Sequence, residues 1–482
     1  MKLVSGYSLL DRIPAIITAL VMLTAAGSRA DQRPNFIFII TDDQRWDALG
    51  VVQKEQGERA RFPWFQTPNM DRIAEQGVRF RNAFVTLSLC SPSRATFLTG
   101  TYNHVNGVTD NSTAFPEKNV TYASLMRDTG YDTGFFGKFH HGRQTGPRPG
   151  FDYNATFIGQ GVYHNCPFEV NGVMTPSKGW VEDDTIDHAI KFLKMERQKP
   201  FSMFIGFKTP HEPTLPPARA EKRFKDETAR VVPNLTTPPV YRLSPRDAAR
   251  KRLAEAAIRD GGGVEVKLNW FRCLSAVDDG LGKLLGVLDD LKLSENTVLV
   301  FTSDNGYYIG EHCLGDKRSA YEESLRIPML VRYPKRFPKG VVRDEMVLNT
   351  DIAPTFLELA GIPVPPHMQG RSMVPLLTGT DTAWRQSFLA EYFVEREYPN
   401  TPAFLAVRTP NAKLVKYPGH DEWTELFDLS KDPYEIRNLA RDPAHAPLLA
   451  ELGAEMERLS KELAYRVPPQ ADKSDFSPDD PD

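Results

Sequence analysis

The sequence has few cysteines and no excess of positive charge. Its 482 residues include four cysteines, which form no CxxC pair and no regular spacing, namely Cys90, Cys166, Cys273 and Cys313. The spacing therefore indicates neither a disulfide framework nor a zinc site of the cysteine type. Lys and Arg number 59 against 62 for Asp and Glu, a formal net charge of −3. Because such a chain lacks the positive field that draws proteins onto nucleic acid, we expect no nucleic-acid partner.

Long apolar runs are also scarce. The run at Ile13–Gly27 is uncharged and follows basic residues. It is shorter than the roughly 20 residues that a membrane-spanning helix needs, and the small residues Ser28 and Ala30 suit cleavage after Ala30. The pattern predicts a signal peptide over residues 1–30, with an uncleaved anchor as the alternative. We expect a periplasmic or secreted protein, lysosomal or extracellular in a eukaryote, with no membrane span after cleavage.

The rest of the chain has the composition of a globular protein, with 41% hydrophobic and 25% charged residues. Asn35–Thr41 is a nearly continuous apolar run, typical of a strand buried on both faces of a parallel sheet. Such strands alternate with helical stretches, which predicts an α/β fold with a mainly parallel sheet. Further strands are predicted at 133–136, 201–207, 297–302 and 329–333. An apolar stripe from Trp270 to Leu291 predicts a helix that packs on this sheet.

After about residue 379 the pattern changes to shorter strands and a helix at 446–463, which predicts a smaller C-terminal domain. We therefore expect a main domain over 31–380, a second domain over 381–467, and a flexible tail over 468–482.

Acidic residues follow two of the predicted strands. Asp42 and Asp43 come directly after the first strand, and Asp304 and Asn305 follow the strand at 297–302. Ligands of open α/β sheets bind at the carboxyl ends of strands. Three carboxylates and an amide are hard oxygen ligands that suit Ca²⁺ or Mg²⁺. If the two strand ends adjoin, the sequence predicts one cation site; a strand-end turn or helix cap is the alternative for Asp42 and Asp43.

A lone cysteine is usually an inert buried residue, but Cys90 begins the run CSPSR within Ser88–Gly100. This run resembles the signature of the sulfatase family. The resemblance implies that Cys90 is oxidised after translation to formylglycine, with a formylglycine-generating enzyme as the maturation partner. It also implies an alkaline phosphatase-like fold, in which helices sandwich a large, mainly parallel sheet and a smaller α+β domain follows.

Three further runs resemble the family: GYDTGFFGKFH at 130–140, KTPHEP at 208–213 and GEHCLGDKR at 310–318. The resemblance extends from residue 34 to about residue 334. It implies these catalytic residues: Cys90, Arg94, Lys138, His140, His211 and Lys317. The expected metal ligands, for Ca²⁺ or else Mg²⁺, are Asp42, Asp43, Cys90 in its modified form, Asp304 and Asn305.

A sulfate ester is an anion, so its hydrolysis requires a positive site. With a divalent cation, the three carboxylates, two lysines and one arginine carry a formal charge of +2. The resemblance implies that one hydroxyl of hydrated formylglycine attacks sulfur and expels the alcohol, and that His140 then takes a proton as sulfate leaves. Arg94 would hold the metal-ligand network and Lys138 would orient the hydrate. His211 and Lys317 would grip the sulfate and protonate the leaving alcohol.

Two other functions are weighed. A phosphoric or phosphonate monoester hydrolase of the same superfamily is disfavoured because the chain has Asp304–Asn305 where two-zinc members have Asp-His. An inactive protein that binds sulfated glycans is expected to lose a site residue, and none is missing. The run from Ser303 to Glu322 resembles the glucosamine-6-sulfatase branch, which predicts a sulfated carbohydrate substrate with N-acetylglucosamine 6-sulfate units of a glycosaminoglycan. The candidate subsite walls are residues 102–104 and the excursion at 212–263.

Overall fold

The computed structural model describes residue 1 and residues 33–242, 244–259, 264, 266–380 and 383–471. The predicted signal peptide, apart from residue 1, and residues 472–482 of the predicted tail lie outside this range. No helix in the described part of the chain is both long enough and apolar enough to cross a bilayer.

The strands are, in chain order, β1 (Asn35–Thr41), β2 (Val78–Phe80), β3 (Ala83–Phe84), β4 (Asp132–Lys138), β5 (Tyr153–Phe157), β6 (Phe168–Val170), β7 (Val173–Thr175), β8 (Phe201–Gly206), β9 (Thr297–Ser303), β10 (Arg326–Ile327), β11 (Met329–Arg332), β12 (Val341–Arg343), β13 (Val347–Leu348), β14 (Phe388–Tyr392), β15 (Phe404–Arg408), β16 (Ala412–Lys416) and β17 (Glu425–Asp428). The helices are α1 (Gly50–Gln56), α2 (Pro68–Glu75), α3 (Cys90–Thr99), α4 (Asn103–Asn106), α5 (Tyr122–Asp128), α6 (Val181–Leu193), α7 (Pro245–Arg259), α8 (Leu268–Asp290), α9 (Glu322–Leu325), α10 (Ile352–Ala360), α11 (Val374–Thr378) and α12 (Ala446–Glu462).

The main sheet has ten strands in the order β12-β2-β11-β9-β1-β8-β4-β5-β6-β7. Its centre, β9-β1-β8-β4-β5, is parallel throughout, whereas β11 pairs antiparallel with β9. The predicted α/β class with a mainly parallel sheet is confirmed. The parallel centre matters for function because it brings the carboxyl ends of β1, β4, β8 and β9 to one edge.

Strand β1 shows why the centre of the sheet is so apolar. Phe36, Phe38 and Ile40 point into one hydrophobic cluster, while Ile37 and Ile39 point into a second cluster on the opposite face. Both faces are therefore covered, as expected for a central parallel strand.

Helix α8 contributes the middle of its predicted apolar stripe, Val277 to Leu288, to the second cluster, which confirms that this part packs on the sheet. Trp270 and Leu274 pack in a separate cluster, and Leu291 is exposed, so the two ends of the stripe differ from the prediction.

The C-terminal part forms an antiparallel sheet in the order β14-β15-β16-β17, and α12 packs against it through Leu452, Met456 and Leu459. Strand β14 also contacts the core of the main body through Phe388 and Ala390. Residues 469–471, within the segment predicted as a tail, form a 3-10 turn with Ala471 buried. The domain boundaries at 380 and 467 stay predictions.

Candidate active site

The ends of three parallel strands meet where the sequence places its acidic residues. Thr41 at the end of β1 is in register with Ser303 at the end of β9. The Asp304 N–H donates to the Thr41 carbonyl at 3.0 Å, and the Asp42 N–H donates to the Thr209 carbonyl beyond β8 at 2.9 Å. The two acidic segments therefore adjoin, which is the condition that the sequence sets for a single cation site.

Asp42, Asp43 and Asp304 form a buried carboxylate cluster. One oxygen of each lies within 4.8 Å of the others, and the three residues are 0–2% exposed. Burial and the nearby charge of Asp42 raise the pKa of Asp304 to about 7. Such crowding of like charge is costly unless a cation neutralises it.

The neighbouring amide of Asn305 supplies a further test of this site. Its Nδ2 donates to Asp43 Oδ1 at 2.6 Å, whereas its Oδ1 is buried and has no hydrogen-bond partner among the described residues. Buried polar oxygens are rarely left without a partner. Three carboxylates and a free amide oxygen therefore fit a hard divalent cation.

Cys90 is the first residue of α3 and is completely buried. Its Sγ lies 3.2 Å from Asp42 Oδ1. Burial, followed by the charge of Asp42, raises the pKa of the Cys90 thiol. An unmodified Cys90 is therefore a poor nucleophile, because the thiolate is the reactive form. Helix α3 ends at Gly100, which has a left-handed conformation with φ of 65°.

Two lysines pair with Asp42 and Asp43. Lys138 Nζ bonds Asp42 Oδ2 and also donates to Gln160 Oε1 at 2.6 Å. Lys317 Nζ lies 2.8 Å from Asp43 Oδ1 and 2.9 Å from Asp43 Oδ2. Burial alone would raise the pKa of Asp42, but Lys138 and other cations of the site hold it well below its usual value.

Arg94 connects the remaining carboxylate to the strand ends. Its Nε donates to Asp304 Oδ2 at 2.8 Å, and its Nη atoms donate to the carbonyls of Lys138 at 2.7 Å and Phe207 at 3.1 Å. One guanidinium thus fixes residues that follow or end β9, β4 and β8. This geometry suits a residue that holds the network in place, the role predicted for Arg94.

His140 and His211, the two histidines predicted for the site, each have a ring nitrogen whose lone pair can accept a proton. His140 follows β4 with a φ of 53°, and its buried Nδ1 has no partner in the described structure. Burial, then the charge of Lys138, lowers the pKa of His140 well below its usual value. His211 Nδ1 lies 2.7 Å from the Glu212 carbonyl, so Nδ1 carries the proton and Nε2 carries the lone pair.

These groups surround or lie behind a cavity of about 1080 Å³. Asp43, His140, His211 and Lys317 are on its wall. Residues 102–104, predicted as subsite walls, are instead buried and 0–5% exposed, because their backbone and side chains bond Gln369 and Glu391. That expectation is wrong for these three residues, whereas Glu212 of the predicted excursion does line the cavity.

A family profile described as Sulfatase matches residues 34–362, which is more than half of the chain. The chain belongs to the sulfatase family. It is a sulfuric ester hydrolase, and the family resemblance, the enzyme class and the alkaline phosphatase-like fold are confirmed. A second profile, described as N-sulphoglucosamine sulphohydrolase, C-terminal, matches residues 310–462 of this sulfatase.

Individual relatives agree with this assignment. An N-acetylglucosamine-6-O-sulfatase from Bacteroides thetaiotaomicron is 30% identical to this chain, and the match covers 96% of this chain and 93% of the relative. An ulvan-active sulfatase from Formosa agariphila is 30% identical, with 89% of this chain and 82% of the relative covered. A solved structure in complex with its substrate, D-glucosamine-2-N,6-O-disulfate, has a TM-score of 0.79 at 30% identity, covering 90% of this chain and 99% of the other.

Several wall residues of the sulfatase cavity are missed by the sequence reasoning. Gln160 bonds Lys138 and lines the cavity, but a glutamine in a loop carries no signal of its own. Glu395 to Tyr398 also line it; they follow β14 and belong to the C-terminal sheet region. Arg318 connects this wall to the Lys317 segment, because its Nε lies 2.5 Å from Glu395 Oε1.

Proposed function

We propose that this sulfatase is an exported enzyme that hydrolyses 6-sulfate esters of glucosamine-type units in a sulfated carbohydrate, with a formylglycine made from Cys90. The observation that carries the proposal is the position of Cys90, whose Sγ lies 3.2 Å from Asp42 Oδ1. It sits beside three carboxylates, each paired with its own cation, next to a cavity that can hold a sugar.

The residues that would hold the cation are Asp42, Asp43, Asp304 and Asn305, together with the modified side chain at position 90. We propose Ca²⁺ because this ion accepts six to eight oxygen ligands in irregular geometry, whereas Mg²⁺ requires a nearly octahedral site. The bound ion would supply Lewis-acid activation of an oxygen nucleophile.

The remaining groups are assigned by charge and position. Lys138 would orient the hydrated formylglycine from its place beside Asp42, and Arg94 would hold Asp304. Neutral His140, whose Nδ1 has no partner among the described residues, is suited to accept the proton that must leave before sulfate is released. Lys317 and His211 on the cavity wall would grip the sulfate and protonate the leaving alcohol.

Two comparisons support the substrate proposal. One relative is named N-acetylglucosamine-6-O-sulfatase, and a similar solved structure contains D-glucosamine-2-N,6-O-disulfate as its substrate. The export proposal is supported by the predicted signal peptide at residues 1–30. A formylglycine-generating enzyme would act on Cys90 before folding, because the folded protein buries this residue completely.

The first test is the mass of the peptide containing Cys90 in active protein produced together with a formylglycine-generating enzyme. The mass of the aldehyde or its hydrate is the expected result. An unmodified thiol in a preparation that turns over sulfate esters would refute the proposed nucleophile.

The second test compares four substrates with the same preparation. We expect sulfate release from N-acetylglucosamine 6-sulfate and much slower release from an aryl sulfate and from a 2-sulfated uronate. A phosphonate monoester should be hydrolysed slowest. Faster turnover of the uronate would overturn the substrate, and faster turnover of the phosphonate would overturn the reaction class.

A further inference from the structure

A second group of metal-ligating side chains lies outside the active site. His312, Glu323 and Glu435 each place one ligand atom within 4.8 Å of the others, and all three residues are buried. His312 belongs to a 3-10 turn before Lys317, Glu323 belongs to α9, and Glu435 follows β17. The reaction proposed above uses none of them.

The hydrogen bonds of His312 fix which ring nitrogen is available. Nδ1 lies 3.0 Å from the Thr237 carbonyl and therefore carries the proton. Nε2 then holds a lone pair, and it lies 3.8 Å from Glu323 Oε2. Nε2 is therefore the ring nitrogen that can bind a metal.

Glu323 supplies the second, independent observation. It is 9% exposed, and its Oε2 has no hydrogen-bond partner in the described part of the chain. The 3.8 Å between this oxygen and His312 Nε2 is too long for a hydrogen bond. Zinc ligands lie about 2.0–2.2 Å from the ion, so two of them on one ion stand roughly 3.3–4 Å apart. The observed separation therefore fits a bridging ion.

Asn234 also lies beside His312 and Glu323. It is fully buried, and its Oδ1 has no partner among the described residues. Its Nδ2 lies 3.1 Å from His312 Nε2 and 2.8 Å from Glu323 Oε1. In this orientation Nδ2 donates to both atoms. A flip of the amide would instead direct Oδ1 toward them, and a cation between the three acceptors would favour that orientation.

We propose that His312 Nε2, Glu323 Oε2 and a carboxylate oxygen of Glu435 bind a zinc ion, with Asn234 Oδ1 as the fourth ligand. One imidazole with three oxygen ligands suits Zn²⁺ better than Ca²⁺, which takes oxygen ligands only. Glu435 is already held in place by Lys413 Nζ at 2.7 Å and by the Glu322 N–H at 2.8 Å.

The position of this site gives the ion a structural role. His312 lies five residues before Lys317 and Glu323 six residues after it, while Asn234 comes from the excursion and Glu435 from the C-terminal region. A bound ion would therefore fix both flanks of the segment that carries Lys317. This inference is independent of the substrate and of the modification at Cys90.

The test measures zinc by equilibrium dialysis and elemental analysis of chelator-treated full-length protein that has been saturated with Ca²⁺. We expect one zinc ion per wild-type chain, and binding at least about 100-fold weaker in Glu323→Gln and His312→Gln. Two controls are Asp42→Asn, in the carboxylate cluster beside Cys90, and His420→Gln, a histidine outside both sites; both should retain the zinc. The absence of zinc from the wild type, or its loss in Asp42→Asn, would overturn the proposal.

X-ray absorption at the zinc edge of the loaded wild-type protein tests the ligand set without any variant, so it does not depend on the folding of a mutant. Nitrogen and oxygen neighbours near 2.0 Å, with the outer scattering of a single imidazole, are expected. Sulfur neighbours or two imidazoles would place the ion elsewhere and overturn the assignment.

Discussion

Two buried clusters of charge differ in what they leave unsatisfied. The active centre pairs three aspartates with Lys138, Lys317 and Arg94. The second, which we call the junction cluster, consists of Glu322, Glu435, Arg408 and Lys413 and joins the C-terminal sheet to the main body.

Lys413 of the junction cluster has all its donors satisfied by protein. Its Nζ lies 2.8 Å from the Ala320 carbonyl, 2.7 Å from Glu435 and 2.9 Å from Glu322. Both clusters border a cavity, since Glu322 and Arg408 line one of about 350 Å³. The active centre, however, leaves Asn305 Oδ1 and His140 Nδ1 without partners in the described structure. Neither buried charge nor an adjoining cavity therefore identifies the reactive site; among the described residues, its unsatisfied polar atoms distinguish the active centre from the junction cluster.

The largest expected effect concerns Cys90. Cys90→Ala removes the thiol whose loss accompanies oxidation of Cβ to the aldehyde, so no formylglycine can form. We expect kcat to fall by about 10⁴-fold or more while the fold is retained. Turnover is measured by sulfate release and folding by circular dichroism. Cys273→Ala, another buried cysteine, is the matched control and should turn over normally. Comparable activity in Cys90→Ala would contradict the nucleophile.

His140→Ala separates the two halves of the reaction. Removing the proposed base should slow sulfate release by about 10²–10⁴-fold and leave the sulfo group attached to the residue at position 90, detected as a mass increment of that peptide after quenching. The control is His141→Phe, because the His141 ring packs on Phe115 and Phe139 and its nitrogens have no partners among the described residues. If His140→Ala shows no mass increment and normal turnover, the base lies elsewhere.

The active centre could be predicted from sequence because its parts follow strands. Asp42 and Asp304 each come immediately after an apolar run, and parallel strands bring such positions to one edge. The catalytic roles of Cys90, Lys138 and Lys317 could be predicted only from the family resemblance. Their residue types alone do not distinguish a reactive group from a buried cysteine or a surface lysine.

The junction cluster and the zinc site could not be predicted in the same way. Lys413 lies in β16 and is completely buried, although a lysine in a short strand is normally read as exposed. Its partners Glu322 and Glu435 come from other segments, and only the packing of the two sheets brings them together. The wrong prediction for residues 102–104 has the same cause, because Asn103 and His104 bond Glu391 in the C-terminal sheet and Tyr102 packs in the hydrophobic cluster of that sheet.

Lys413→Met tests whether the junction cluster serves stability rather than turnover. It would leave Glu322 and Glu435 buried with less compensation, and breaking such a pair costs about 3–5 kcal/mol. We expect the free energy of unfolding in urea to fall by that amount. Lys431→Met, whose side chain is 80% exposed beside Asp428, should cost less than about 1 kcal/mol. Equal losses in the two variants would show that burial of the cluster is not what stabilises it.

The smallest expected effect concerns a third polar contact, between His104 and Glu391, whose contribution to stability depends on pH. His104 places Nδ1 2.7 Å from Glu391 Oε2 and Nε2 3.1 Å from the Leu463 carbonyl. Both nitrogens face acceptors, so both must donate and the ring is a cation. Burial would lower the pKa of His104, but the hydrogen bond and charge of Glu391 raise it above its usual value, against a smaller opposing effect of Arg466.

A histidine whose pKa is raised in the folded state stabilises the protein fully below its unfolded pKa of about 6.5, and loses this contribution as the pH rises through the folded value. His104→Gln should therefore lower the free energy of unfolding by about 2 kcal/mol near pH 6. The difference between wild type and variant should shrink toward pH 9. Urea unfolding at several pH values measures both. A difference that is constant with pH would mean that the ring is neutral, and kcat at neutral pH should change little because His104 does not line the cavity.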